Sequence, residues 1–403
     1  MATFKHRKIK ACLTIGFVVL FLFNSNRNGY SQVWSSNNIP GVSRVNCIAL
    51  SADGTKIFAG AGTTNTIFVS TNSGITWSST GATLQSGYWA DIASSADGSR
   101  LIAAADVGGV YTSHDGGANW FSNNVPGASR WDSVAITYDG TKMVAAGNNF
   151  SAGPICVSTN SGSTWTQTSA PISQWCSVAS SADGSMLLAG TFGGMAYLST
   201  NSGTTWTPQT NLPAGRWTYM AVSTDGNTCI AAAYDIGSGF GRVYISTNGG
   251  NFWTPTSQPT NMYLLGFCAS GDGSKLTAVG YAIFHSVDSG NSWSSNSVPE
   301  LSAKWTVLTC SADGNKLALV GGYRADIYLG WSPTRPQLNL ELRDNESVVS
   351  WLVSSTNLVL QQSPDLISWS SITDAPTLNL TNLNNEVSIS PTNASGFFRL
   401  ISQ

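Results

Sequence analysis

Charge is scarce in this 403-residue chain, where Asp, Glu, Lys and Arg together make up 10% of the residues. Histidine is rarer still, with 3 copies. No Lys/Arg run or basic stripe occurs beyond the first residues, so nucleic acid and anionic membrane surfaces are poor candidate partners. The 7 cysteines include no CxxC pair, and no metal site is expected. Long apolar runs are missing too: the longest, ACLTIGFVVLFLF at 11–23, is too short to span a bilayer comfortably. What is abundant instead is Ser, Thr, Asn and 41 Gly, with 15 Trp, a composition that suits β structure with many short turns.

The apolar run follows MATFKHRKIK and precedes NSNRNGYSQ, the basic–apolar–polar order of a secretory signal peptide. Residues 1–31 are expected to be that signal, cut after Ser31, with a retained anchor as the alternative reading. Cys12 stands at the start of the run, which argues against a lipoprotein cut. From residue 32 onward the chain has 14 basic and 21 acidic residues, a net charge of −7. It is expected to be exported (periplasmic, cell-surface or extracellular), monomeric, and free of membrane insertion once the signal is gone. Six cysteines remain: Cys47, Cys156, Cys176, Cys229, Cys268 and Cys310. Most lie in apolar strand-like runs and read as buried free thiols, although export would permit disulfides.

Two signals recur in step. An Asp-Gly turn repeats at Asp53, Asp97, Asp139, Asp183, Asp225, Asp272 and Asp313, with gaps of 44, 42, 44, 42, 47 and 41 residues. A Ser-x-Asn/Asp-x-Gly-x-x-Trp box ends at Trp77, Trp120, Trp165, Trp206, Trp253 and Trp293. A period of this size is that of a four-stranded propeller blade. Each unit reads as four strands, with the Asp-Gly turn joining the first two and the box joining the last two.

The boxes resemble the Asp-box (BNR) repeat. That repeat is found in sialidases, in the Ycf48/Hcf136 family of photosystem II assembly factors, in sortilin-type receptors and in some glucanases. Two boxes fit the pattern fully, at Ser113 to Trp120 and Ser286 to Trp293; Asn replaces Asp at Asn72, Asn160, Asn201 and Asn248. Asn bonds its local backbone equally well, so the turns should survive the change. Six similar boxes read as structural turns, since a catalytic or calcium role would demand six active sites on an outer rim.

Seven Asp-Gly turns predict an all-β, seven-bladed propeller over 32–332. The seventh unit ends at Trp331 without a box, and VWSSNNIPGVSR at 33–44 resembles the strand that follows each box. The segment around Trp34 should therefore supply the outermost strand of the last blade and close the ring. From 333 to 403 the pattern changes to short alternating runs, read as a small β-sandwich-like domain.

A propeller usually binds on the face whose loops enter the innermost strands. Nine residues before each turn Asp stand Arg44, Tyr88, Arg130, Gln174, Arg216, Tyr263 and Lys304. The next residues are Val45, Trp89, Trp131, Trp175, Trp217, Leu264 and Trp305. Such a ring reads in two ways: as a binding rim of cations and aromatics for a protein or glycan, or as a repeat feature with Trp packed between blades and Arg stacked on it. The loops 148–153 and 234–241 should border the same face. Carboxylates near it are Asp91, Asp132, Asp106, Asp235 and Asp326, of which Asp91, Asp132 and Asp235 are the catalytic candidates. Asp91 and Asp132 lie one step out of phase on neighbouring strands and should point differently. The Arg-Ile-Pro start of sialidases is missing, and His114 and His285 lie far apart in sequence, so neither a triad nor a His metal site is supported. The leading reading is a non-catalytic propeller without a cofactor, binding a protein or glycan, as Ycf48-like factors resemble binding scaffolds. The alternative is a glycoside hydrolase of the sialidase-like class.

Overall fold

The computed structural model describes residues 33–148, 152–234, 240–259, 264–280, 282–296, 305–321, 326–331, 339–343, 346–352, 358–363, 370–372, 376–379, 384–389 and 397–402. The expected signal segment therefore lies outside the described residues.

Seven four-stranded antiparallel sheets form the blades of an all-β propeller. Blade one contains the strands Val45–Leu50, Ile57–Ala61, Thr66–Ser70 and Ser78–Thr83, from the channel outward, and blades two to six repeat this order. Blade seven has Trp305–Cys310, Lys316–Gly321 and Asp326–Trp331 from one end of the propeller and Val33–Asn38 from the other. Val33 pairs with Trp331 and Asn38 with Asp326, so the first strand closes the ring as expected.

The Asp-Gly turns lock the inner strands together. In blade one the Ser51 hydroxyl donates to Asp53 Oδ1 at 2.6 Å, which also accepts from the Thr55 amide at 2.9 Å. The Lys56 amide in turn donates to Ser51 Oγ at 3.0 Å. The residue between Ser51 and Asp53 faces the channel axis. There the amide of Ala52 donates to the carbonyl of Ala96, Ala96 to Tyr138, Tyr138 to Ala182, Ala182 to Thr224, Thr224 to Gly271, Gly271 to Ala312 and Ala312 back to Ala52. These seven bonds, 2.7 to 3.1 Å long, form a closed circle of backbone around the axis. Six of its members are small, and the seventh, Tyr138, packs against Ala52, Ala96 and Ala312 and fills this end of the channel.

The box turns lie at the same end. Ser70 Oγ accepts from the Gly74 amide at 2.8 Å, and Asn72 Oδ1 accepts from the Thr76 amide at 2.9 Å. Asp115 and Asp288 do the same work as the four Asn. The residue before each box glycine is also left-handed: Ser73, Ser161, Ser202 and Ser289 have φ of 55 to 57°, with Gly116 and Gly249 in the other two blades. An L-residue there is unfavourable unless held. The hold is a hydrogen bond from its amide to the Asp-Gly turn of the same blade, such as Ser73 to the Thr55 carbonyl at 2.8 Å.

The sequence reading did not single out a set of cations at this end. Lys56 donates to the Asp97 carbonyl, Arg100 to Ser161 Oγ, Lys142 to Ser202 Oγ, Lys275 to the Asp313 carbonyl, and Lys316 to the Gly54 carbonyl and Ser73 Oγ. Each reaches from one blade to the next, and Lys316 spans the closure. Between blades, alternating faces pack into separate buried clusters, most of which include the box Trp of one blade.

Beyond the propeller, seven short strands among the described residues form two further small sheets. Val349, Trp351 and Val387 from one of them bury with Leu360 from the other.

Two predictions follow from the turns. Gly162 has φ of 88°, and a Cβ there would stand 2.8 Å from Thr112 Cγ2. Gly162→Ala should cost about 2 kcal/mol in a urea melt. Desolvation alone would raise the carboxyls of Asp97, Asp139, Asp183 and Asp225, but their amide and hydroxyl donors outweigh it and hold all four below the usual range. The stability they contribute is present above the ordinary Asp pKa and is lost as pH falls through the lowered folded values. Asp183→Ala should therefore destabilise by about 1 kcal/mol at pH 7 and by less at pH 2.5, read from paired urea melts.

Candidate functional site

The face opposite the turns carries the linkers that enter the inner strands and the loops between second and third strands. The linkers and loops of each blade are tied by one recurring bond. The Gly62 amide donates to the Arg44 carbonyl, Asp106 to Tyr88, Asn148 to Arg130 and Phe192 to Gln174, at 2.8 to 3.1 Å. Arg216 pairs with Tyr234 at the corresponding place in blade five. Five of the seven expected rim positions are thus equivalent. Tyr263, Lys304 and Asp235 lie outside the described residues, as do 149–151 and 235–239 of the two loops and the side chains of Trp305 and Asp326.

The tryptophans next to these positions are not on the rim. Trp89, Trp131, Trp175 and Trp217 are at most 1% exposed. Trp89, Trp175 and Trp217 donate their indole N–H to Asn65, Gly153 and Gly194, carbonyls on the loops of the preceding blade. They wedge between blades, with edge-on contacts such as Trp89 on Tyr111 at 5.2 Å and Trp175 on Tyr197 at 5.6 Å. Burial of a large amphipathic ring with its one donor bonded is the favourable outcome, and it leaves these rings no surface for a partner. The expectation of a Trp-lined rim is corrected accordingly.

The other rim residues divide into free and engaged groups. Arg44 is exposed and Tyr88 is 40% exposed. Arg216 is exposed and stacks on Phe192, itself 44% exposed, with its guanidinium carbon 4.8 Å from the ring centroid. It does not stack on its neighbouring Trp. Arg130 forms an ion pair with Asp106 of blade two, and Gln174 is half-buried. Partial burial raises the Tyr88 hydroxyl above its usual range, and the nearby Asp106 and Asp132 add to this while Arg130 and Arg44 oppose it. Blades one to three thus share one electrostatic cluster around Tyr88.

A β-bulge follows the strand entry in six blades, placing Asn46, Ala90, Asp132, Cys176, Thr218 and Thr306 outside the ladder. The bulge separates the two carboxylates considered together in the sequence. Asp132 sits on it and accepts from Asn148 Nδ2 of its own blade. Asp91 lies one residue past it and reaches the next blade, accepting from Ser133 Oγ at 3.0 Å and the Val134 amide at 2.9 Å. The same position continues around the ring: Ser133 Oγ accepts from the Val178 amide, Ser177 Oγ from Met220, and Tyr219 donates to the Leu265 carbonyl. Asp91 is thus an interblade tie. His114 and His285 lie in blades two and six, and burial pushes His285 down to about 4. Among the described residues no three His, Cys, Asp or Glu converge as metal ligands would.

No protein-family model matches the chain, and no curated protein does. Solved structures share its architecture. A YCF48 bound to D1 peptide superposes with a TM-score of 0.56 at 16% identity, over 73% of this chain and 96% of that one. YCF48 from Cyanidioschyzon merolae gives 0.57 at 16% identity, over 74% and 99%. The chain has a Ycf48/Hcf136-like seven-bladed propeller fold. At this identity the likeness is one of fold.

Desolvation pushes Asp91 up to about 6 despite its three donors. A raised carboxyl favours the folded state most below the ordinary Asp pKa, and that contribution is lost as pH rises to the folded value. Wild type should therefore lose about 2 kcal/mol between pH 4 and pH 7 relative to Asp91→Asn, measured by parallel urea melts.

Proposed function

We propose that this propeller is a non-catalytic binding scaffold that holds a protein partner on its loop-bearing face. One observation carries the reading. Among the described residues ten large apolar side chains stand exposed, and six of them lie on linkers and loops of this face: Tyr88, Val107, Ile172, Phe192, Met195 and Phe240. Exposed apolar groups gathered on one face, beside the exposed cations Arg44 and Arg216, are the features of a protein-docking surface. That one structure of this fold is a YCF48 bound to D1 peptide supports a peptide or protein over a glycan here. Nothing in the chain points to a photosynthetic partner.

The glycosidase alternative needs two free carboxylates at a defined separation. Among the described residues Asp91, Asp106 and Asp132 are each engaged with a neighbouring group. We further assign the six boxes to the Asp-box class, residues 1–31 to a cleaved signal, 32–332 to the propeller and 333–403 to a separate small domain. Export follows from that signal.

The test compares purified wild type with Arg216→Glu/Phe192→Ser and with the opposite-end control Ile75→Ser, each used to capture exported proteins of the source cell. A partner retained by wild type and the control should bind the double variant at least about tenfold more weakly, as loss of a stacked Arg–aromatic anchor implies. Equal capture by all three would overturn the assignment of this face. Release of products from a sialoside and β-glucan panel would overturn the non-catalytic reading.

A further inference from the structure

Among the described residues, the cluster between blades six and seven is smaller than those at the other junctions. At each of the other junctions the interblade cluster holds the box Trp of the later blade, from Trp77 between blades seven and one to Trp293 between five and six. Blade seven takes its outer strand from Val33–Asn38 and so has no box turn; Trp34, paired with Gly330, holds the strand position that follows the box in the other blades. Among the described residues its junction with blade six buries Val279, Ile283, Leu308, Leu317 and Leu319. Packed against this small cluster are Cys268 on the inner strand of blade six and Cys310 on that of blade seven.

The two strands run in the same direction and approach closely. A Cβ on Gly266 would stand 3.1 Å from Leu308 Cβ. Two residues further along each strand, on the same side, Cys268 faces Cys310. Cys310 Sγ donates to the carbonyl of Ala269, the residue after Cys268, at 3.2 Å. A disulfide needs its Cβ atoms about 3.8 Å apart, and the Gly266–Leu308 approach on the same two strands is as close as that. Both residues are half-buried, whereas Cys47, Cys156 and Cys229 are buried.

We propose that Cys268 and Cys310 form a disulfide that staples blade six to blade seven when the protein meets a disulfide donor. In the first step the thiolate of one cysteine attacks a donor sulfur, and one donor thiolate leaves. In the second the other cysteine attacks the mixed disulfide, the S–S bond between the blades forms, and the second donor thiolate leaves. The two protein protons end on the two donor thiols. The cysteine pair is oxidised by two electrons and the donor reduced by two. Burial holds the Cys268 thiol well above its usual range, so exchange should be slow at neutral pH and quicken with base. The bond would make the junction between blades six and seven covalent.

The experiment uses reduced, folded protein incubated with glutathione disulfide at pH 8. After an acid quench and unfolding, remaining thiols are alkylated and peptides mapped by mass spectrometry. The expected product is one linked pair joining Cys268 to Cys310, with Cys47, Cys156, Cys176 and Cys229 alkylated. The melting temperature should rise by roughly 5 °C and fall back on reduction. Cys268→Ala and Cys310→Ser should each abolish both the link and the rise. Recovery of both cysteines alkylated, or linkage to other cysteines, would overturn the pairing. A formed bond with an unchanged melting temperature would overturn the staple.

Discussion

Around the channel axis, each inner strand ends on a residue whose amide donates to the carbonyl of its counterpart in the next blade. The circle from Ala52 through Ala312 returns to Ala52 without a gap. A single buried backbone bond contributes only about 1 kcal/mol net, but leaving one unmade exposes a donor and an acceptor to a dry interior. The circle is therefore complete only if all seven blades are in place, and blade seven is complete only with the strand Val33–Asn38. The same constraint sets the side chains. Six ring members are Ala, Thr or Gly, and only one large group fits the axis. That group is Tyr138, and the ring member opposite it is Gly271, where a Cβ would lie 3.3 Å from the Tyr138 hydroxyl.

With one end of the channel filled, the two faces take different parts. Asp-Gly turns, box turns and bridging lysines knit the closed end into an unbroken backbone mesh, and their repetition in blade after blade is what a structural requirement looks like. The opposite face repeats only its scaffolding: the linker-to-loop bond, the bulge and the buried Trp. The side chains it presents differ from blade to blade, as an exposed Arg44, a partly exposed Tyr88, an Arg130 paired to Asp106 and an Arg216 stacked on Phe192. Variation on a fixed frame is where recognition is usually placed.

The fold was legible because its turns repeat. The spacing of Asp-Gly pairs gave the number of blades, and a missing seventh box pointed to the strand that closes the ring. The rim was only partly legible. Counting back from each turn found equivalent positions, since backbone register is periodic. It could not show that Trp89, Trp131, Trp175 and Trp217 turn inward, because burial depends on the shape of the preceding blade's loop. Nor could it pair Arg130 with Asp106, which lie on different blades. The cations at Lys56, Arg100, Lys142, Lys275 and Lys316 did carry a signal, three residues after each turn Asp, but it was masked by two blades that place Met186 and Thr228 there.

The measurement that bears most directly on this account is hydrogen exchange, followed residue by residue at the seven axial amides. If the circle holds the propeller together, Ala52, Ala96, Tyr138, Ala182, Thr224, Gly271 and Ala312 should exchange with one common free energy, equal to that of global unfolding, while the loops of the opposite face exchange much faster. Axial amides that open one at a time, at free energies well below global unfolding, would contradict it.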